Sequence, residues 1–471
     1  MVYSSYEFML VFLPIVLIIY YLLSKTKNEH PQKIFLVVSS LFFYGYFNWN
    51  YLIIIISSII VNFIIANFIK IKGRKIFLIA GVVYNVFLLG YFKYFDFFIG
   101  TINAVFKCSF TLRNIFLPLG ISFFTFQQIS FLISVYKKEE DVDNLLDYAV
   151  FVTFFPQLVA GPIVQYKEMI PQFKDSSKRY FCLNNFCQGL YLFSIGALKK
   201  AVIADTMALF ADNGFAIQEL GLAAAWITSL SYTFQIYFDF SGYSDMAIGL
   251  GKMFNIAIPV NFDQPYRSES ITEFWRKWHI TLGRALSSFV YIPLGGNRRG
   301  MRRTCFNLLI TFFVSGLWHG AAWTFVLWGI FHGLFVVFER LFDKYLSKIP
   351  GVLKKFSTFF IVNGLWVLFR ADSFSDAINV YKGMINFSDF NLLQLQELAF
   401  DSLANFPGFI DVIYIIAVVI AAFVIVFFLN SSNCLYDKFA FNKRTALCTS
   451  TCILLTLICV SKGSVFIYFN F

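Results

Sequence analysis

The sequence predicts an all-α protein that crosses a membrane many times, and three observations support this prediction. Hydrophobic residues make up 58% of the 471 residues, and charged residues make up only 14%. Apolar runs of about 15–25 residues, long enough for a hydrocarbon core of about 30 Å, recur from end to end. The runs are continuous rather than alternating, which favours helices over barrel strands, the two structures that satisfy the backbone in lipid.

We predict about 11–12 transmembrane helices, each about as long as the bilayer requires. The first apolar run lacks the basic residues and the small-residue cleavage site of a signal peptide, so we expect it to be retained. Three runs are short, and we expect them to be tilted partners or half-membrane helices. The predicted spans are 7–23, 34–47, 51–69, 76–99, 116–136, 186–208, 222–251, 304–318, 321–338, 356–370, 411–431 and 445–462.

Basic residues are concentrated in six of the loops between these spans. The six loops carry 30 of the 38 Lys and Arg residues and lie at 24–33, 70–75, 137–185, 252–303, 339–355 and 432–444. All six fall on the cytoplasmic side if the N-terminus is outside, so the positive-inside rule predicts two extracytoplasmic termini. Topology thereby explains the net charge of +11, and we predict no nucleic-acid partner.

Two apolar stretches, at about 145–165 and 285–294, have basic residues on both flanks. A full crossing there would break the charge pattern. The stretches contain FFPQLVAGPI and YIPLGGNRRG, whose Pro and Gly residues interrupt a helix. We therefore predict that both are re-entrant segments. Irregular backbone at membrane depth is tolerated only inside protein or along a cavity, so the interior should contain polar structure.

The segment DFSGYSDMAIGLGKMF places Asp239 and Tyr243 in a predicted span. A carboxylate in a membrane is costly and faces either a cavity or a partner. Two interpretations therefore stay open. These residues line a substrate path, or they belong to an internal polar network that holds helices together.

The segment FWRKWH resembles an amphipathic helix that lies at the membrane surface. In that arrangement Trp275 and Trp278 sit at the level of the headgroups, and Arg276 faces phosphates. His279 closes the segment. The nine basic residues of 252–303 surround it, and we expect a cytoplasmic mouth for an anionic ligand.

The segment SGLWHGAAW contains one of only four histidines in the chain, His319. Histidine is the commonest general base because its charge changes near neutral pH. The flanking glycines allow neighbouring backbones to approach closely, and Trp318 and Trp323 are expected to form the wall of a narrow pocket. The alternative is a histidine that is merely hydrogen-bonded in a helix interface. We expect the nearby His332 to be structural.

No GxSxG, HExxH, P-loop or dinucleotide motif accompanies these residues, and we expect no metal and no bound cofactor. Seven stretches, in order over about residues 115–380, nevertheless resemble the membrane-bound O-acyltransferase (MBOAT) family. The resemblance is strongest to the bacterial branch with the alginate O-acetylation membrane protein and the peptidoglycan O-acetyltransferase membrane subunit. The stretches are PLGISFFTFQQISF, FFPQLVAGPIVQY, DFSGYSDMAIGLGKMF, NFDQPYRSESITEFWRKWHITL, YIPLGGNRRG, SGLWHGAAWTFVLWGIFHGL and WVLFRADSFSDAI.

The resemblance implies one MBOAT domain in which tilted helices form a ring around a central tunnel. It divides the chain into N-terminal helices (1–114), a core (115–380) and an external loop with C-terminal helices (381–471). It implies that His319 is catalytic and that His279 is a second functional residue. We also assign six residues to the tunnel for the donor substrate: Trp275, Arg276, Trp278, Trp318, Asp239 and Tyr243.

The resemblance further implies a function in the bacterial inner membrane. Acetyl-CoA, as co-substrate, would supply an acetyl group from the cytoplasm. The acetyl group would cross the bilayer to an extracytoplasmic partner, expected to be an SGNH-type acetyltransferase, and reach a polysaccharide. The acidic external loop 371–410 is a candidate docking face for that partner, and an ordinary solvated loop is the alternative.

One departure and two alternatives qualify this prediction. Relatives usually carry an aromatic-Arg-Asp run between WHITL and YIPLGGN, whereas this chain has RALSSFVY without the Asp. The resemblance therefore implies the family but not the details of the donor mouth. A member of the same family could transfer D-alanine to teichoic acid. A protein with broken helices and buried carboxylates could also be a transporter without covalent chemistry.

Overall fold

The computed structural model of the chain describes residues 1–26, 28–142, 144–399 and 409–460. All regular elements within these ranges are helical, which confirms the predicted fold class. The α-helices are α1 Leu13–Leu23, α2 His30–Gly45, α3 Asn50–Lys72, α4 Lys75–Leu89, α5 Phe95–Phe106, α6 Ile121–Tyr136, α7 Leu145–Thr153, α8 Phe155–Leu158, α9 Tyr166–Lys174, α10 Leu183–Leu198, α11 Asp205–Ala216, α12 Leu222–Met253, α13 Ile271–Lys277, α14 Ile280–Leu286, α15 Gly300–His319, α16 Trp323–Leu346, α17 Gly351–Arg370, α18 Phe374–Ile385, α19 Leu395–Leu398, α20 Phe409–Phe428, α21 Ser432–Asp437 and α22 Lys443–Cys459.

Shorter helical turns join several of these helices. Wide π-helical turns occupy Glu7–Phe12, Gly90–Tyr94, Lys199–Ala204 and Ser287–Tyr291, and 3₁₀ turns occupy Ser176–Lys178, Pro265–Arg267 and Leu392–Gln394. Two of the π turns, Gly90–Tyr94 and Lys199–Ala204, each join two α-helices into one interrupted rod, and the other two extend α1 and α14. Such turns are frequent at functional sites, and one of them, Gly90–Tyr94, contacts the candidate site below.

Within the described residues, every predicted span coincides with a helix or with an interrupted pair of helices, and residues 461–462 of the last span lie outside that part of the chain. Within the described ranges, five helices are long and apolar enough to cross a membrane: Asn50–Lys72, Lys75–Phe106, Trp323–Leu346, Gly351–Arg370 and Ile410–Phe428. The predicted span at 116–136 begins only at Ile121, because Pro118 and the left-handed Gly120 (φ +68°) precede the helix.

The central helix is α12, and it is polar for a membrane helix because protein rather than lipid surrounds it. Every residue from Ser231 to Gly251 is buried. The helix packs against α10, α11, α17 and α18. A helix that is buried all round belongs to the core of a large protein.

Paired glycines set the distance between α10 and α12. A Cβ atom added to Gly196 would lie 2.5 Å from the carbonyl oxygen of Gly242, and one added to Gly189 would lie 2.5 Å from that of Gly249. Such contacts are impossible for a larger residue. The two helices therefore touch backbone to backbone, as small residues permit in membrane helix pairs.

Both segments predicted to be re-entrant are interrupted helices. The nine residues of α7 rise only about 14 Å, half of a hydrocarbon core. The chain then turns at Phe154, forms the single turn α8 and continues without helix to Gln165. In the second segment α14 passes into a π turn and a series of tight turns. The interruptions are as predicted, and the depth of each segment in the bilayer stays a prediction.

A tight hairpin of α15 and α16 presents the candidate site. A Cβ atom on Gly316 would lie 2.4 Å from the carbonyl oxygen of Phe325, and one on Gly329 would lie 2.4 Å from that of Phe312. The two helices therefore cross in backbone contact, which confirms the close approach predicted for SGLWHGAAW. The crossing fixes the end of α15, where His319 lies.

Candidate active site

His319 is the last residue of α15 and is 2% exposed. Aromatic rings surround its imidazole. The ring centroids of Trp318, Trp328 and Phe369 lie 5.0, 5.1 and 5.2 Å from that of His319. These rings restrict the rotation of the imidazole. Its position is therefore set mainly by the backbone at the end of α15.

Trp318 connects the two histidines that the resemblance singles out. Its ring centroid lies 5.9 Å from that of His279 and 5.0 Å from that of His319. His279 is 1% exposed, and Trp318 is 4% exposed. The structure therefore brings His279, Trp318 and His319 together from parts of the chain about 40 residues apart.

The break between α13 and α14 points His279 into the protein. His279 has φ +45°, a left-handed conformation that is uncommon for any residue except glycine. Such backbone persists only where the surroundings hold it, and it is frequent at functional sites. One end of α13 is held by Glu339, whose carboxylate accepts hydrogen bonds from the backbone N–H groups of Ile271 (2.5 Å) and Thr272 (2.9 Å).

Asn261 holds the other end of this break. Its backbone carbonyl accepts from the N–H of Ile280 at 3.0 Å. Its side-chain oxygen Oδ1 accepts from the N–H of Thr281 at 3.1 Å and from Oγ1 of Thr281 at 2.9 Å. Nδ1 of His279 lies 3.2 Å from the same oxygen.

These contacts determine the tautomer of His279. A backbone N–H can only donate, so the Asn261 atom that faces Thr281 must be the oxygen and not the amide nitrogen. Nδ1 of His279 must then carry a proton and donate to that oxygen. In the neutral ring Nε2 is therefore unprotonated, and it has no hydrogen-bond partner in the part of the chain that the structure describes.

A cavity of about 930 Å³ leads to His279. It lies between α13, α14, α15 and α16. Arg276, Arg284 and Arg340 lie on its wall, and Glu339 and Asp343 add negative charge. Ser315, one helical turn before His319, lines it together with His279. The cavity thus joins arginines of α13, α14 and α16 to the neighbourhood of both histidines.

The residues of FWRKWH that the sequence analysis placed at the membrane surface lie in three different environments. Arg276 is exposed and lines the cavity, and its contact with a donor phosphate stays a prediction. Trp278 is 0% exposed and packs on Phe274 and Trp366, so its predicted place at the headgroup level is wrong. The composition of the segment suggested a membrane surface, but packing against α17 buries the Trp278 ring. Trp275 is partly buried and lines the cavity.

Another predicted contact is also wrong. Trp323 is 51% exposed and packs against Phe97 at the surface, so it does not wall a pocket with Trp318. Trp323 is the first residue of α16, where its ring contacts α5 rather than His319. Trp328, five residues further along α16, lies beside His319 instead.

Asp239 and Tyr243 contact a different part of the protein. The carboxylate of Asp239 lies 3.0 Å from Nζ of Lys200, on the π turn between α10 and α11. Tyr243 stacks on Tyr3, with ring centroids 4.5 Å apart. These contacts agree with the polar network that was one of the two interpretations. The neighbouring Phe240 is the α12 residue that meets His279, at 4.7 Å between ring centroids.

The third buried histidine, His332, supports the cavity wall. Its Nδ1 accepts a hydrogen bond of 3.1 Å from the indole N–H of Trp275. Its ring centroid lies 4.8 Å from that of Trp328, which also contacts His319. These contacts fit the structural role that the sequence suggested for His332.

Sequence reasoning missed Asn261, Trp328 and Lys93. Asn261 lies in the quoted stretch NFDQPY, but nothing in a sequence pairs it with His279. Lys93 had a usable signal, because it is an ionisable residue within the predicted span 76–99, and such residues are commonly functional. Of the predicted docking face at 371–410, residues 400–408 lie outside the described residues.

Comparison with known proteins identifies relatives over most of the chain. The family model described as MBOAT, membrane-bound O-acyltransferase family, matches residues 10–370. The peptidoglycan O-acetyltransferase of Helicobacter pylori is 40% identical, in an alignment covering 100% of this chain and 98% of the relative.

Two further relatives bear on the substrate. The probable alginate O-acetylase AlgI of Pseudomonas aeruginosa is 39% identical over 90% of this chain and 81% of its own length. The teichoic acid D-alanyltransferase of Streptococcus thermophilus is 31% identical, but over only 49% of this chain and 58% of its own length.

Proposed function

Because the chain belongs to the membrane-bound O-acyltransferase family, we propose that it moves acetyl groups from cytoplasmic acetyl-CoA across the membrane to a polysaccharide. The chain is a multi-pass membrane acyltransferase, and relatives that match most of it are a peptidoglycan O-acetyltransferase and a probable alginate O-acetylase. The observation that carries the proposal is the meeting of two buried histidines at Trp318, beside a cavity with an arginine-lined wall.

The cavity supports an anionic thioester donor. Its volume of about 930 Å³ lies in the range of ligand pockets, about 300–1,000 Å³. Arg276 and Arg340 can attract the phosphates of acetyl-CoA, since guanidinium groups bind phosphate oxygens in pairs. Arg284 also lines the cavity, but its guanidinium already donates to both carboxylate oxygens of Glu168. The three arginines lie in the segments 252–303 and 339–355, which the positive-inside rule assigns to the cytoplasmic side. The acetyl end of the donor would then lie near His279 and Ser315.

The reaction that suits these residues is acyl transfer assisted by a general base. His319 takes the proton of an acceptor hydroxyl, whose oxygen attacks the thioester carbonyl. The tetrahedral intermediate collapses, the carbon–sulfur bond breaks, and the proton passes to the departing thiolate. General-base assistance contributes about 10²–10⁴-fold to the rate. Attack by His319 itself, followed by transfer from an acetyl-imidazole, is a second route.

His279 would orient the donor beside His319. Because Asn261 holds the proton on Nδ1, the neutral ring offers Nε2 as a hydrogen-bond acceptor. Only the doubly protonated ring could donate from Nε2 and polarise the thioester carbonyl.

The acceptor side completes the proposal. We place the protein in the bacterial inner membrane with both termini outside, on the charge pattern of its loops. An extracytoplasmic partner, expected to be SGNH-type, would receive the acetyl group near the acidic loop after α17. Peptidoglycan is the first acceptor to test, because the Helicobacter pylori relative matches over nearly its whole length.

D-alanyl transfer is the second candidate function. Its support is the similarity to teichoic acid D-alanyltransferases, which extends over about half of the chain. A transporter would consume no thioester. The preferred acyl donor therefore distinguishes acetyl transfer, D-alanyl transfer and transport. Purified protein in nanodiscs should release CoA from acetyl-CoA and leave a D-alanyl carrier protein intact.

The cellular test compares a deletion strain complemented with wild type, His319→Ala or His30→Ala. His30 is the exposed histidine of α2 and serves as the matched control. We expect wild type and His30→Ala to restore O-acetyl groups on the envelope polysaccharide, and His319→Ala to restore none at equal protein level. Full restoration by His319→Ala would rule out the assigned base.

A further inference from the structure

Lys93 is a charged residue within a helix that is otherwise suited to lipid. It lies in the π turn Gly90–Tyr94, inside the candidate span Lys75–Phe106. Between residues 76 and 99 the charged residues are Lys93 and Asp96. An ammonium group in a membrane is costly unless specific partners stabilise it. The partners of Lys93 therefore indicate its role.

The Lys93 ammonium group contacts the end of the helix that carries His319. Its Nζ donates to the carbonyl oxygen of Trp318 at 2.6 Å and to that of His319 at 3.2 Å. A third hydrogen bond, of 3.5 Å, reaches Oγ of Ser122. An ammonium group has three N–H bonds, and these three acceptors use all of them.

Together with Tyr94, Lys93 completes the hydrogen bonding of the last turn of α15. The last four carbonyl groups of a helix have no partner within it. Here Gly316 accepts from the N–H of Gly320 at 3.4 Å, and Leu317 accepts from the hydroxyl of Tyr94 at 2.5 Å. Lys93 satisfies the remaining two. The positive charge also lies at the negative end of the helix dipole.

We propose that Lys93 is a positioning residue for His319, assisted by Tyr94. The two side chains fix the final turn of α15 and thereby set where the imidazole of His319 and the indole of Trp318 lie. This proposal rests on the proposed function, because it takes His319 as the base. The described residues that line the donor cavity do not include Lys93, so its removal should affect the chemical step rather than donor binding.

The test measures kcat and KM for acetyl-CoA with wild type, Lys93→Met, Lys93→Arg and Tyr94→Phe in nanodiscs or membrane vesicles. Methionine keeps the length of the side chain but removes its charge and its donors. We expect Lys93→Met to lower kcat about 100-fold or more, because a displacement of about 1 Å at a reacting group costs about that much. KM should change less than about twofold. Arginine, which keeps charge and donors, should recover at least a tenth of the wild-type kcat.

Lys33→Met is the matched control. Lys33 is 3% exposed and pairs with Glu29 (2.6 Å) and Asp147 (2.7 Å), in a cluster that contains no residue of the candidate site. Both lysine variants remove a buried ammonium group. Lys33→Met should lower the melting temperature but keep the kcat of the folded protein.

The outcomes distinguish this proposal from the proposed function. If wild type turns over acetyl-CoA and His319→Ala does not, a wild-type kcat in Lys93→Met overturns the positioning role. A raised KM with unchanged kcat overturns it as well. If wild type consumes no thioester, the proposed function fails first. If Lys93→Met does not fold, Tyr94→Phe decides, because it removes one hydroxyl group: a lower kcat at an unchanged melting temperature supports the role, and an unchanged kcat contradicts it.

Discussion

Nδ1 of His279 lies 3.2 Å from Oδ1 of Asn261, an oxygen that also accepts two hydrogen bonds from Thr281. This relationship fixes which ring nitrogen carries the proton and where the ring points. It also ties His279 to the strained backbone at the break between α13 and α14. Asn261 therefore sets both the tautomer and the orientation of His279.

The first prediction concerns Asn261. Asn261→Leu keeps the size of the side chain but removes the acceptor, so His279 loses both its tautomer and its orientation. We expect kcat to fall about 10- to 100-fold, as small displacements of reacting groups cause. Asn261→Asp keeps an oxygen in place and should retain more activity. Steady-state kinetics with acetyl-CoA measure both variants.

Asn85→Leu is the control for this prediction. Asn85 is also buried and hydrogen-bonded, to Asn62 at 2.6 Å, in a network without a histidine. Its loss should reduce stability and leave the kcat of the folded protein unchanged. Equal kcat values in Asn261→Leu and Asn85→Leu would mean that Asn261 has only a structural role.

The second prediction concerns the wall of the cavity. Arg276→Ala removes an exposed cation that can reach a donor phosphate, so KM for acetyl-CoA should rise about three- to tenfold. The effect should shrink at high salt, because salt screens exposed charges. Lys277→Ala is the matched neighbour, since Lys277 pairs with Glu273 at 2.7 Å. A similar rise in KM for both variants would show only a general loss of charge.

The third prediction concerns the contact between α10 and α12. Gly196→Ala places a methyl group 2.5 Å from the carbonyl oxygen of Gly242, and neither backbone can yield without separating the helices. Overpacking of this kind costs about 1–3 kcal/mol, so the melting temperature in nanodiscs should fall. Gly364→Ala, where no atom lies within 4 Å of the new Cβ, should be neutral or gain up to about 1 kcal/mol of helix stability. Equal melting temperatures for both variants would contradict the packing described here.

The sequence was informative where local physics decides the structure. Apolar run length placed the helices, and Pro and Gly placed the interruptions after α7 and α14. The roles of His319 and His279 came from the resemblance, because the spacing of isolated histidines does not identify the reaction that they catalyse. Composition was misleading for Trp278, whose basic neighbours suggested a membrane surface although α17 covers the ring.

Contacts between distant parts of the chain could not be predicted from the sequence. Lys93 and Trp318 are 225 positions apart, and only the packing of α15 beside the π turn makes the lysine a cap. Asp239 illustrates the same limit. A carboxylate in a membrane needs a partner that stabilises its charge, but the sequence does not show whether that partner is Lys200 or a substrate.

The central claim is that His319 transfers acetyl groups from acetyl-CoA to a polysaccharide on the other side of the membrane. The most direct measurement uses inverted membrane vesicles that contain the extracytoplasmic partner and the acceptor, with radiolabelled acetyl-CoA added to the cytoplasmic face. The account predicts labelled polysaccharide inside the vesicles with wild type and background label with His319→Ala. Labelling at the wild-type rate with His319→Ala would contradict it.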